Sequence, residues 1–253
     1  MNPTIAVQMV GADFLKLHKK RSIVVWALVL AFLPIVIFLI INGVEGDSPH
    51  FNDGLNALAR LFGPLAAILI GVEAGTTDSS NGVFRDLVVT GRSRLALFAT
   101  RVPAALALCW LVTLSAYVLL VVGVSALAVD GYPTPNAALI LNALAYTALA
   151  TGVVCVVAVG FGSLTTSKPG AIIALIAWQI VASPVIVAIE TLGSARDGVL
   201  TQALTHFSPV GFEGGHHGGT ILTMSTGTAS VVVAVWLVVF LALGAWRTRT
   251  MDA

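Results

Sequence analysis

Charge is what this 253-residue sequence has least of. Lys, Arg, Asp and Glu together make up 10% of it, against 57% apolar residues. An ordinary soluble domain carries about a quarter of its residues as charges, so that class is excluded. The balance of 13 basic against 12 acidic residues gives a net charge of +1, which lacks the basic footprint of a nucleic-acid binder. There are two cysteines, Cys109 and Cys155, both inside apolar runs. Neither a disulfide framework nor a Cys-x-x-Cys metal motif follows, and both read as small buried hydrophobes. The phosphate-loop pattern Gly-x-x-x-x-Gly-Lys-Ser/Thr is missing. No nucleophile-and-base pair or dicarboxylate pair falls inside an apolar run, so intramembrane catalysis is not expected. A cleavable signal peptide is not expected either, because the first apolar run starts near Ile23 and continues at span length.

What the chain does have is long apolar stretches. Six of them, at about 23–44, 55–75, 96–129, 137–164, 171–191 and 229–246, are long enough to cross ~30 Å of hydrocarbon as helices. They predict an all-α integral membrane protein with a single transmembrane domain over residues 1–253. Pro34 should kink the first span, which membrane helices tolerate. The third exceeds one simple crossing, so it should tilt, bend near Pro103 or begin outside the bilayer. In the fourth, Gly152, Gly160 and Gly162 allow neighbouring helices to approach closely. Residues 1–21 mix Phe14, Leu15 and Leu17 with Lys16, Lys19, Lys20 and Arg21, the composition of an amphipathic helix at the membrane surface or of a positive flank.

The sparse charges orient the bundle. With the N-terminus in the cytoplasm, all Lys and Arg except Arg60 and Arg196 lie on that side. Glu45, Asp47, Asp53, Asp130, Glu190, Asp197 and Glu213 lie on the other. This asymmetry follows the positive-inside rule and predicts cytoplasmic termini in a multi-pass protein of the plasma or inner membrane. Arg60 is the basic residue placed within a span, where it either snorkels to the headgroups or faces a vestibule, pairing with Asp53 or Glu190. Asn142, Tyr146 and Thr147 in the fourth span, and Gln179 and Ser183 in the fifth, are polar positions suited to interhelical hydrogen bonds or to a substrate path. His206, His216, His217 and Glu213 lie in a Gly-rich outer stretch without the spacing of a zinc site, so no metal is expected.

Between the second and third spans lies a polar island, residues 78–94. Asp78, Ser79 or Ser80 can cap a helix start, and Val83, Phe84, Leu87 and Val88 recur at three and four residues on one face. Gly91 ends the turn, and Arg92 and Arg94 sit at headgroup level. A short helix with such a stripe suits a groove on another protein, and it equally suits a lipid surface.

The island also resembles the cytoplasmic segment of small ABC-2-type ABC transporter permeases. In that family an acidic residue precedes Gly-Thr-x-Arg-x-Leu and then Gly-x-Ser-Arg. Here Asp78 precedes Gly82-Val83-Phe84-Arg85-Asp86-Leu87 and Gly91-Arg92-Ser93-Arg94. Val83 replaces the family's Thr and Asp78 its Glu, with Glu73 as a second candidate for the acid. The six spans, the N-terminal Phe14-Leu15-Lys16-Leu17 and an outer segment before the last span resemble the family too. The resemblance implies an N-terminal interfacial helix, a cytoplasmic coupling helix over 78–94, and a short re-entrant outer region around 193–225, broken at Phe207-Ser208-Pro209. It further implies that Asp78 or Glu73, with Gly82, Phe84, Arg85, Leu87, Gly91 and Arg94, docks on a dimer of ATPase subunits that bind ATP and Mg. This chain would bind no cofactor, and would pair with a second copy or a related permease to export an amphipathic or hydrophobic compound. Arg60, Asn142, Tyr146, Gln179 and Ser183 are the candidate pathway residues. Two other functions fit the same topology: an ion-coupled secondary transporter, and a non-pumping immunity or assembly protein.

Overall fold

The computed structural model describes residues 3–45, 49–80, 93–128, 134–165, 167–210 and 224–250, and these contain helices and no strand. Six helices are long and apolar enough to cross a membrane. The first helix, α1 (Pro3–His18), precedes them. The spans are α2 (Arg21–Glu45), α3 (Phe51–Thr77, helical on to Ser80), α4 (Arg94–Ala126), α5 (Ala137–Leu164), α6 (Lys168–Ala188) and, last, Thr226–Thr250. Between α6 and the last span run a 3-10 segment, Glu190–Gly198, and the short α7 (Leu200–His206). The last span is α8.

Side-chain caps fix several helix starts. Ser93 Oγ accepts from Ala96 N at 3.2 Å, Asn136 Oδ1 from Leu139 N at 2.8 Å, and Ser225 Oγ from Thr228 N at 3.1 Å. Ser167 Oγ accepts from Gly170 N at 3.3 Å, with Pro169 in the first turn of α6. Each cap satisfies an amide that the helix itself leaves open. They explain why α4, α6 and α8 begin about three residues before the apolar run. The second span starts earlier still, at Phe51. Phe51 stacks edge-on against Tyr117 with ring centroids 6.3 Å apart, and Gly54 makes room for the Leu120 side chain. Pro34 is carried within α2 without a break, and Pro103 within α4.

The core is α5, which is buried on every side from Ala150 to Gly160. Its close neighbours meet it backbone to backbone. A Cβ added to Gly71 of α3 would stand 2.5 Å from the Cys155 carbonyl, and one at Gly75 2.5 Å from that of Val159. On the other flank, Gly160 faces the Phe240 carbonyl of α8, and Gly244 approaches the Gly160 Cα. Membrane helices lack a water-driven reason to associate, so contact at this range gives them dispersion instead. Polar side chains in this core are satisfied within the helices. Thr113, Thr147 and Thr151 each donate to the carbonyl four residues back, at 2.7–2.9 Å. Cys109 and Cys155 are free and buried.

By contrast, α2, α6 and α8 are peripheral. Only 17% of the most apolar window of each is buried, against 72% for α5. Trp26, Val44, Ile173, Val181, Val231 and Val238 stand exposed on them, which is an outer surface suited to lipid.

Candidate functional site

Two places in this bundle concentrate polar chemistry. The first lies where the chain's basic residues gather. Arg94 Nη1 at the start of α4 donates to the Arg249 carbonyl of α8 at 3.0 Å. Thr100 of α4 donates to Asp13 Oδ2 of α1 at 2.8 Å. These bonds bring α1, the start of α4 and the end of α8 to one end of the bundle, here called the basic end. Arg101 is buried there, lining a small cleft with Asp13, Lys16 and Thr77.

Glu73 is the centre of this end. Its side chain is only 1% exposed, on the last turns of α3. One carboxylate oxygen pairs with Lys20, in the joint between α1 and α2, and the other with Lys168, at the first turn of α6. Thr77 Oγ1 lies 2.5 Å from the Glu73 carbonyl and 3.1 Å from its Oε1, and Lys20 Nζ donates to the same hydroxyl at 3.2 Å. A buried carboxylate is costly unless it is paired, and here both oxygens face a lysine while Oε1 is hydrogen-bonded as well. The lysines remain about one-third exposed, so their stems reach inward while water stays within reach. The result joins three elements far apart in sequence through one side chain.

The second place lies inside the bundle. Both α3 and α6 contain a π-helical stretch, Ala57–Phe62 and Trp178–Ala182. They are joined by Gln179, whose Nε2 donates to the Arg60 carbonyl at 3.2 Å. A π-turn widens the helix and disturbs its regular bonding, and such turns frequently mark functional positions. Beside this joint is an apolar cavity of about 310 Å³. Its wall includes Phe161, Trp178, Leu200, Trp236 and Phe240. Trp236 sits against Trp178 and Phe240, at centroid distances of 5.5 and 5.4 Å. A smaller chamber of about 50 Å³ adjoins it, where Arg60, Tyr146, Gln179, Thr201 and Thr205 share the wall with apolar residues such as Pro64, Ala150 and Leu204. Val154 and Gln179 belong to both walls. The segment after α6 adds Leu200 to the cavity wall. Trp236 Nε1 donates to the Gly198 carbonyl at 3.0 Å, about 15 Å along α8 from Thr226 at 1.5 Å per residue. His206 Nε2 meets Thr226 Oγ1 at 3.0 Å, so the chain is back at the helix end by His206.

Of the residues singled out from sequence, Arg60, Tyr146 and Gln179 come together in the smaller chamber. Ser183, one turn beyond Gln179, is buried, and its hydroxyl has no hydrogen-bond partner among the described residues. Asn142, one turn before Tyr146, is exposed and lines neither chamber. Glu73 and Arg94 both belong to the basic end. The Asp78 side chain, and Gly82, Phe84, Arg85, Leu87 and Gly91, lie outside the described residues, as do Glu213, His216 and His217. Sequence reasoning missed Lys20, Lys168 and Thr77 as partners of Glu73, and Trp178 and Trp236 as cavity walls. The available signal for the tryptophans was their depth, since tryptophan in membrane proteins prefers the interfacial belts.

No family model and no curated protein matches the chain.

Proposed function

We propose that this protein is the membrane-spanning subunit of an ATP-driven ABC exporter for an amphipathic or hydrophobic compound. The observation that carries the reading is the Lys20–Glu73–Lys168 junction at the root of the polar island. The described chain stops at Ser80, on the last turn of α3 beyond the junction, and resumes at Ser93, next to the start of α4 and the end of α8. In this reading the basic end is cytoplasmic, α1 lies at the interface, and residues 78–94 form the coupling helix on a separate ATPase dimer. Glu73 then acts inside the permease. It transmits a push on the end of α3 to the α1–α2 joint and to α6 as rigid bodies. The segment 190–206, dipping to Trp236 and returning, serves as the outer re-entrant region. The permease works as a homodimer or with a related permease.

The test is purification from its native membrane in mild detergent. An ATPase subunit in roughly equal amount is the expected companion, and Arg85→Glu or Phe84→Asp should insert normally while abolishing export. Normal export by both variants, with the ATPase still attached, would overturn the docking assignment.

One observation favours a second reading, an ion-coupled carrier: Glu73 is a carboxylate buried within a span. Its two lysine partners hold it as an ion pair, which is a poor arrangement for a site that must load and release a proton. Transport driven by an ion gradient in ATP-free vesicles, and lost in Glu73→Gln, would establish the carrier instead.

A further inference from the structure

We infer that the apolar cavity between α3, α5, α6 and α8 binds an uncharged two-ring aromatic compound that reaches it from the bilayer. Size sets the first limit. A cavity of about 150 Å³ lined by Leu, Ile and Phe takes up one benzene. At about 310 Å³ this cavity has room for two fused rings. Charge sets the second limit. Among the described residues of its wall there is no ionisable side chain, so a charged guest would be desolvated without a partner there.

The wall itself favours a flat ring over an alkyl chain. Four rings follow one another along it: Trp178 stands 5.5 Å from Trp236, Trp236 5.4 Å from Phe240, and Phe240 6.1 Å from Phe161. Aromatic pairs with centroids about 4.5–7 Å apart attract beyond the area they bury, so a ring guest extends this run where an alkyl chain only fills space. Gln179 adds the one side-chain amide of the wall. The Arg60 carbonyl takes one of its N–H donors, and the amide has a second donor and an acceptor to offer a hydroxyl or ketone. The route in follows from the outer wall. Over their described residues α6 and α8 do not pack closely on each other, and the Trp178 and Trp236 rings bridge them. Ile173 and Val181 of α6, and Val235 and Val239 of α8, are exposed on the same two helices. A guest dissolved in hydrocarbon thus enters sideways without crossing water. Binding stands on this geometry alone, while the compound's being the transported cargo rests on the exporter reading above.

The experiment uses the full chain, purified without any ATPase, in nanodiscs of zwitterionic lipid. The probe is 6-bromo-2-naphthol, uncharged at neutral pH, whose bromine quenches nearby tryptophan. Saturable quenching is expected to persist when Trp26, Trp110 and Trp246 are replaced by Phe, and to vanish when Trp178 and Trp236 are. At equal concentration in the lipid, 6-bromo-2-naphthoate, the same rings with a carboxylate, should bind about tenfold more weakly or worse. Val157→Phe, filling the cavity from α5, should weaken the naphthol by a similar factor, and Ala174→Phe repeats the test from the peripheral α6. Gln179→Leu should weaken the naphthol about threefold to tenfold, the effect of one hydrogen bond, and leave 2-bromonaphthalene unchanged. Equal binding of naphthol and naphthoate would overturn the uncharged assignment. Undiminished binding by both cavity-filling variants, or saturable quenching without Trp178 and Trp236, would overturn the site. Equal losses of naphthol and bromonaphthalene in Gln179→Leu would remove the amide contact. In discs of chain-brominated lipid, quenching of Trp178 and Trp236 that 2-naphthol fails to relieve would give the cavity to a lipid chain instead. Since no ATPase is present, failure here leaves the exporter reading intact, and failure to recover an ATPase leaves this site intact.

Discussion

Glu73 shows how much one residue's meaning depends on its distant neighbours. In sequence it is an acid near the end of an apolar run, open to a role in docking. In the structure it is sealed in, with Lys20 and Lys168 as its partners. Those lysines are separated from it by a whole span or more, and no local pattern links them. As sequence, Lys20 belonged to the positive flank of the first span, and Lys168 was one of the basic residues counted on the cytoplasmic side. The pairing carries a definite energetic expectation. Losing one lysine leaves the carboxylate with the other and with Thr77. Losing both leaves a buried charge unpaired, an effect of about 3–5 kcal/mol. Lys20→Met with Lys168→Met should therefore lower thermal stability in detergent by more than the two single changes together. Adding Glu73→Gln to the double variant should recover much of the loss. Strict additivity would mean that the three charges act independently.

At the scale of elements, apolar run length made all six spans legible, because a bilayer demands it. Their ends were less so. Run length does not register a capping serine, so the starts of α4 and α6 were read late, and the polar face of Phe51–Gly54 hid a buried turn. Glycine gave a mixed signal. Gly160 and Gly162 were legible as close-approach sites in α5, whereas Gly71 and Gly75 of α3 make the tight contact from the other side. Their spacing is the small-x-x-x-small pattern of membrane helix pairs. Backbone, not a flexible side chain, stands where a new Cβ would go, so the helices must part to admit one. Gly75→Val should thus collapse the yield of monodisperse protein in size-exclusion chromatography, at a cost of at least ~1–3 kcal/mol. Gly198→Ala, with nothing within 4 Å of the added atom, should elute as the unaltered protein does. Indifference at Gly75 would mean that α3 and α5 are not held in this contact.

For the whole molecule, the bundle's two ends differ in chemistry, and that difference can be read without knowing which membrane side each faces. The basic end holds α1, the Glu73 junction and the close of α8. The other end holds His50, the 3-10 segment with Arg196, and the return to Thr226. Charge counting reached the same division from sequence, because charge outside the hydrocarbon is the one quantity a bilayer sorts strictly. The two-chambered interior was beyond it, since aromatic residues in a span look alike whether they face lipid or a cavity. Single cysteines can test the division, as Cys109 and Cys155 are both fully buried and should give little background. In sealed vesicles, Lys19→Cys and Arg249→Cys should react with a membrane-impermeant maleimide from one side only. His50→Cys and Arg196→Cys should react only from the other. If the basic end is cytoplasmic, right-side-out vesicles will label the second pair and inverted vesicles the first. Labelling of Arg249→Cys and His50→Cys from the same side would break the six-crossing arrangement. The polar island, α1 and both lysines of the Glu73 junction would then not work at one surface.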